Sequence, residues 1–194
     1  MRLFVALDID NGIRGRITRF VDGVSGFVPE ARWVRPESLH VTLKFIGEKS
    51  EQETENITHS LGTIRADAIE ITFRGYGFFP NVRAPRLFWI GVEAGSQLAS
   101  LAATIDEKLT SLNIPKEEHA FNAHLTLARD ASRPAVRKGD TRPTKRGFQL
   151  LQEKLSAPPT PEFGTMTARE FFLFQSHTLP GGSRYKKLAA FALH

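Results

Sequence analysis

His40-Val41-Thr42-Leu43 and His124-Leu125-Thr126-Leu127 are two copies of one pattern, His-x-Thr-Leu, each inside a short apolar run. Histidine is the side chain whose ordinary pKa lies nearest neutrality. One neutral and one protonated imidazole make a general base and a general acid. The base takes a proton from an attacking water or hydroxyl, and the acid gives one to a departing alkoxide. Set on opposite sides of a phosphorus atom, the pair suits in-line displacement. Two threonine hydroxyls can donate hydrogen bonds to nonbridging oxygens as charge builds there. A lone His-x-Thr in a strand is usually structural; two matching copies at equivalent points of a repeat reverse that balance. Such a site needs no metal and no cofactor.

This chemistry requires that strands present the residues. In an extended strand, residues two apart share a face. His40 and Thr42 then share one face, as do His124 and Thr126, while Val41, Leu43, Leu125 and Leu127 point into a core. The histidines are 84 positions apart (124 − 40), and the same shift carries Arg2-Leu3-Phe4 onto Arg86-Leu87-Phe88. It also carries Ile17 and Val21 onto Leu101 and Ile105. A repeated β-α-β unit explains the common offset, and equivalent positions of such repeats meet near a pseudo-two-fold axis. His40 is therefore expected opposite His124 across one cleft.

The elements follow from periodicity. Strands are expected at 2–9, 32–35, 39–46, 69–79, 87–93, 121–129, 165–176 and 184–193. Helices are expected at 11–24, 51–65, 96–112 and 144–155. Loops fall at 80–85 and 130–143, a stiff connector at Pro158–Pro161, and a turn at Leu179-Pro180-Gly181-Gly182. The fold class is α+β, and residues 1–194 are expected to form a single domain of two pseudo-symmetric lobes.

The composition agrees. A chain of 194 residues with 41% hydrophobic and 24% charged residues suits one sizeable core. Without cysteine, disulfides and thiolate catalysis are excluded. No apolar run approaches a membrane span. The 2–7 stretch is too short for a secretory segment, so the cytoplasm is the expected location, and a monomer the expected state. The net charge of +5 leans mildly toward polyanions such as RNA. Seven Lys or Arg gather between Arg129 and Arg146.

The paired motifs, His40-Val41-Thr42-Leu43-Lys44-Phe45 and His124-Leu125-Thr126-Leu127-Ala128-Arg129, resemble those of the 2H phosphoesterase superfamily. More narrowly, the chain is similar to the LigT-type RNA 2′,3′-cyclic phosphodiesterases, also called 2′-5′ RNA ligases. Met1-Arg2-Leu3-Phe4-Val5-Ala6, Pro85-Arg86-Leu87-Phe88-Trp89, and Ser176-His177-Thr178-Leu179 through Gly182 to Tyr185 extend the likeness over nearly the whole chain. The resemblance implies a bilobal fold with two antiparallel sheets around a central groove and helices outside. It implies hydrolysis of a terminal RNA 2′,3′-cyclic phosphate to a 2′-phosphate without metal. His40 would be the proton donor and His124 the proton acceptor, although near-symmetric motifs do not by themselves distinguish the roles. RNA ends, oligonucleotides and small cyclic nucleotides all fit as substrates.

Thr42 and Thr126 are the expected phosphate contacts. Strict alternation puts Arg129 on the face opposite His124, so it reaches the cleft only if the strand breaks after Ala128. Phe45 shares the parity of Leu43 and is expected in the core. Tyr185 borders the groove by resemblance, where it would stack on a base or donate to phosphate; packing is the equal alternative. His59, His119, His177 and His194 are expected outside the chemistry. The rival readings are a non-catalytic RNA- or nucleotide-binding module and a His-ligated metal protein.

Overall fold

The computed structural model describes residues 1–81, 85–130, 146–179 and 182–194. Most of the loops expected at 80–85 and 130–143, and the Pro180-Gly181 step of the last turn, lie outside the described residues. The order is β1 (Arg2–Asp8), α1 (Asn11–Val24), β2 (Arg32–Trp33), β3 (His40–Glu48), α2 (Glu51–Leu61), β4 (Ile69–Phe79), β5 (Leu87–Glu93), α3 (Ser96–Thr110), β6 (His124–Arg129), α4 (Arg146–Leu155), β7 (Glu162–Ala168), β8 (Glu170–Leu179) and β9 (Gly182–Ala192). None of the described helices is long and apolar enough to cross a membrane.

Helix starts follow side-chain chemistry. Asp10 accepts the Ile13 N–H ahead of α1. Ser50 and Glu53 exchange hydrogen bonds ahead of α2, a reciprocal capping box. Helix α2 stops at Leu61, short of the expected 65, and Gly62 takes over its cap.

The strands form one antiparallel sheet in the order β7-β4-β5-β6-β3-β1-β8-β9, with β2 also paired to β6. The expected two sheets are its two four-stranded halves. They meet where β3 and β6 share one registered pair, Val41 with Leu125. Each half takes a strand from the last part of the chain: β7 pairs with β4, and β8 pairs with β1. The stretch expected as one strand at 165–176 is therefore two. Residues up to Ala168 pair with β4, those from Glu170 pair with β1 and β9, and the chain crosses between halves at Arg169.

One face of the sheet carries the main core. Val5, Leu7, Val41 and Leu125 pack there with Ile13 and Ile17 of α1 and Leu101 and Ile105 of α3. The helices thus cover the face turned away from the histidines. On the other face of the first half, Phe4, Ala6, Phe172 and Phe174 form a separate small cluster with Tyr185 against it.

The duplication expected from the sequence needs one correction. Asp8 faces His40 and Ala6 faces Thr42, whereas Gly91 faces His124 and Trp89 faces Thr126. Relative to the histidine strands, β1 maps onto β5 with a shift of 83, not 84 (91 − 8). Phe4 corresponds to Leu87, and Val5 to Phe88. Their placement agrees: Phe4 belongs to the groove-side cluster, but Phe88, like Val5, belongs to the main core. The matching Arg-Leu-Phe tripeptides are one residue out of structural register, because the second unit has one more residue between its two strands.

Candidate active site

Both histidines open their strands and make the same local bond. His40 Nδ1 lies 2.6 Å from the Ser38 carbonyl oxygen, and His124 Nδ1 lies 2.8 Å from that of Asn122. A carbonyl oxygen only accepts, so each Nδ1 carries the hydrogen. Each neutral ring then keeps its lone pair on Nε2, the atom able to take or give a proton. The two acceptors, at 38 and 122, are themselves repeat equivalents.

The strand register brings the motifs together. Extending the Val41–Leu125 pair by one residue each way sets His40 across from Thr126 and Thr42 across from His124. All four are half-buried, while Val41, Leu43, Leu125 and Leu127 are buried beneath them. The expected face-sharing of His40, Thr42, His124 and Thr126 is what the geometry gives.

Beyond the motifs, alternation fails in both halves at the same place. Val5 pairs with Lys44 but Ala6 pairs with Thr42, so Leu43 is an extra residue in β3. Phe88 pairs with Ala128 but Trp89 pairs with Thr126, so Leu127 is the extra residue in β6. A one-residue bulge reverses the facing of everything after it. Lys44 and Ala128 consequently point inward and are buried, and Phe45 and Arg129 turn onto the histidine face. Phe45 is 61% exposed, which corrects its expected place in the core. Arg129 joins the histidine face through the bulge at Leu127, ahead of the break expected after Ala128. Its backbone is held between Leu87 of β5 and Arg32 of β2, which fixes the bulge from both sides.

Each imidazole has an aromatic wall. The His40 ring centroid lies 5.0 Å from Phe4, 6.3 Å from Phe174 and 5.1 Å from Tyr185, the last meeting it edge-on. Tyr185 thus packs edge-on beside His40. His124 lies 5.2 Å from Phe79 and 6.3 Å from Trp89. Trp89 lies over Gly77, where an added Cβ would sit 2.1 Å from indole Cζ2.

Phe4, Phe79, Trp89, Phe174 and Asp8 are site neighbours that motif reading missed. Their signal was present but faint: Phe4, Ala6 and Asp8 alternate along β1, and the apolar run 171–174 has no polar face. It becomes readable only once the strand order is known.

Asp8 stands directly across from His40. Its Oδ1 accepts from Arg14 Nη2 at 2.6 Å and from the Ile9 N–H at 2.9 Å. Its Oδ2 accepts from Lys187 Nζ at 2.5 Å, and that ammonium also sits 4.0 Å from the Phe172 ring centroid. Burial works to raise the Asp8 pKa, but the Lys187 and Arg14 hydrogen bonds outweigh it and hold the carboxyl below its ordinary range. The His40 imidazole is also held below its ordinary value. Burial is the leading cause; the charges of Arg129 and His124 push the same way, while the Ser38 carbonyl and Asp8 oppose. Arg129 and His124 are therefore close enough to be felt at His40.

The first histidine strand is tied down by a buried ion pair. Lys44 Nζ lies 2.7 Å from Asp106 Oδ1, 3.3 Å from Glu117 Oε1 and 2.7 Å from the Pro115 carbonyl oxygen. This joins β3 to α3, the first helix of the second unit. The remaining histidines, His59, His119, His177 and His194, are exposed, in keeping with their expected place outside the chemistry.

Comparison with known proteins gives the same family twice over. The family described as LigT like Phosphoesterase matches residues 7–89 and again residues 90–185. An Archaeoglobus fulgidus protein named RNA 2′,3′-cyclic phosphodiesterase is 36% identical over 98% of this chain and 99% of its own length. A Methanothermobacter thermautotrophicus protein of the same name is 31% identical over 100% of this chain and 99% of its own. Among solved structures, E. coli LigT complexed with 3′-AMP superposes with a TM-score of 0.77 at 28% identity, covering 99% of this chain and 97% of that one.

Proposed function

Because the chain belongs to the LigT-like phosphoesterases, we propose that it is an RNA 2′,3′-cyclic phosphodiesterase working by two-histidine acid–base catalysis. The observation that carries this reading is the matched pair of Nδ1-to-carbonyl bonds. They leave two Nε2 atoms, one from each half, on the face shared with Thr42 and Thr126.

The cyclic phosphate lies between the histidines. His124 Nε2 takes a proton from water as its oxygen bonds to phosphorus. The bond from phosphorus to the 3′ oxygen breaks, and that oxygen takes the proton from His40 Nε2. The products are a 2′-phosphate and a free 3′ hydroxyl, and the two protonation states are exchanged. Thr42, Thr126 and Arg129 bind the nonbridging oxygens, where a guanidinium meets a phosphate with charge-assisted bonds. Tyr185 and Phe45 border the nucleoside. The two lobes act as one catalytic unit. With a 5′ hydroxyl in place of water, the same groups in the same roles join a 2′,3′-cyclic end to it as a 2′-5′ linkage: His124 takes the 5′ hydroxyl proton and His40 protonates the departing 3′ oxygen.

Incubation with a 2′,3′-cyclic nucleotide, with and without EDTA, tests this. Conversion to the 2′-phosphate in both is expected, along with losses of about 10²–10⁴-fold in His40→Ala and in His124→Ala. Substantial turnover in either folded variant would sink the paired assignment. Loss of turnover with EDTA would count for a metal-dependent reaction, and no turnover in either condition for a binding module.

A further inference from the structure

The two halves match closely at the motifs but differ at the position facing each histidine. Asp8 faces His40, and Gly91 faces His124. Directly opposed residues of antiparallel strands point their side chains to the same face with Cβ atoms about 4.5–5.5 Å apart. A carboxylate thus stands directly across the strands from one imidazole, and the position directly across from the other carries no side chain.

The difference is built into the fold. A Cβ on Gly91 would sit 2.3 Å from the Arg74 carbonyl oxygen. That carbonyl belongs to the irregular stretch of β4 between Phe73 and Tyr76, where the pairing with β5 shifts. Only glycine fits there, so the second half has no room for an acid. In the first half Asp8 is fixed at both oxygens, by Arg14 of α1 and Lys187 of β9.

Resting on the acid–base reading above, we propose that Asp8 is a positioning residue. Its carboxylate, held across the sheet from His40 by Arg14 and Lys187, favours a proton on His40 and so makes that imidazole the acid. Bare Gly91 leaves His124 as the base. The proton that His40 gives the 3′ oxygen is restored from His124 through solvent after product leaves, so nothing else is consumed. Lys187 opposes Asp8 and sets how much of its charge His40 feels. The other groups facing His40 are His124 and Arg129 from β6 and the phenol of Tyr185 from β9, all of which remain in the variants below.

The test is an NMR titration of the His40 ring in the full chain, its signal assigned by its loss in His40→Gln. Asp8→Asn keeps hydrogen-bonding oxygen but removes the charge, and should lower the His40 midpoint by about half a pH unit. Lys187→Gln frees the carboxylate and should raise it. The alkaline limb of kcat/KM on a 2′,3′-cyclic nucleotide should move with each. Opposite shifts are a signature that a packing role would not give. Shifts of the same sign, or none, overturn the proposal; if Asp8→Asn does not fold, Lys187→Gln decides alone. An unmoved His40 in an enzyme that hydrolyses the nucleotide rejects the role of Asp8 and leaves the reaction standing. A wild-type chain without hydrolysis rejects the reaction, whatever the titration shows.

Discussion

Phe45 and Arg129 occupy matching places in the two halves, each five residues past its histidine and each turned onto the histidine face by a one-residue bulge. An aromatic ring in one lobe thus answers a guanidinium in the other. Phe45→Ala should raise KM for a cyclic nucleotide by about 5- to 150-fold with little change in kcat, since stacking on a base is worth about 1–3 kcal/mol. As Phe45 is 61% exposed, its melting temperature should stay close to wild type. Arg129→Ala should instead lower kcat about 10–100-fold if the guanidinium stabilises charge on phosphorus. Arg129→Lys should recover only part, having lost the planar fork. Steady-state kinetics on folded variants separates the two effects.

The pH profile should be bell-shaped, with one limb from each histidine. In the proposed mechanism His40 is the donor and must be protonated, so its deprotonation should end activity on the alkaline side. Its pKa in the free protein is depressed, chiefly by burial. The alkaline limb of kcat/KM should therefore fall below the ordinary imidazole midpoint of about 6.5. On saturation with an anionic substrate the limb of kcat should move up. A limb above the ordinary value in kcat/KM would contradict the donor assignment.

Lys44 is buried with three acceptors, and removing it strands Asp106. Lys44→Ala should cost about 3–5 kcal/mol in urea unfolding, and Lys44→Met less when paired with Asp106→Leu. The Asp106 carboxyl is held low: burial opposes this, but hydrogen bonds from the Lys44 ammonium and the Glu117 backbone N–H outweigh it. A depressed folded pKa gives stability that is present above the unfolded value of about 3.9 and lost as pH falls through the folded one. Acid unfolding of wild type should thus be steeper below about pH 4 than that of Lys44→Met.

Gly77 gives Trp89 its place, and Trp89 packs beside His124. Gly77→Ala should cost about 1–3 kcal/mol by overpacking and lower kcat with it. Trp89→Phe, lacking the benzo ring that carries Cζ2, should restore both in the double variant. A double-mutant cycle with no coupling between the two would contradict the contact.

The histidines and threonines were legible in the sequence because two-residue alternation and repeat equivalence concern neighbours along one strand. Phe45 and Arg129 were not, because a bulge exists only in a pair of strands. The Leu-Lys and Leu-Ala steps carry no Gly or Pro to announce it. The same holds for the tripeptide repeat at 2 and 86: identity of letters suggested a shift of 84, and only pairing with the histidine strands reveals 83. The single strand expected at 165–176 divides because its ends serve different halves, a fact of topology rather than of propensity. Asp8 escaped notice since its partner lies 32 positions away (40 − 8).

The pairing of β1 with β8 has a consequence for how the groove is made. Phe4 meets Phe174 in register, a closure of 170 positions (174 − 4), so the histidine nearer the beginning of the chain waits for strands near its end. Contacts so distant in sequence slow folding, because chain entropy is spent before they form. On the ribosome, β3 emerges early, yet His40 gains Phe174 and Tyr185 only when β8 and β9 have been synthesised. A chain interrupted after the second histidine motif would hold both imidazoles and still lack the wall behind the first. Both imidazoles in their finished surroundings are therefore a property of the fully translated sheet, and nascent fragments do not carry the groove.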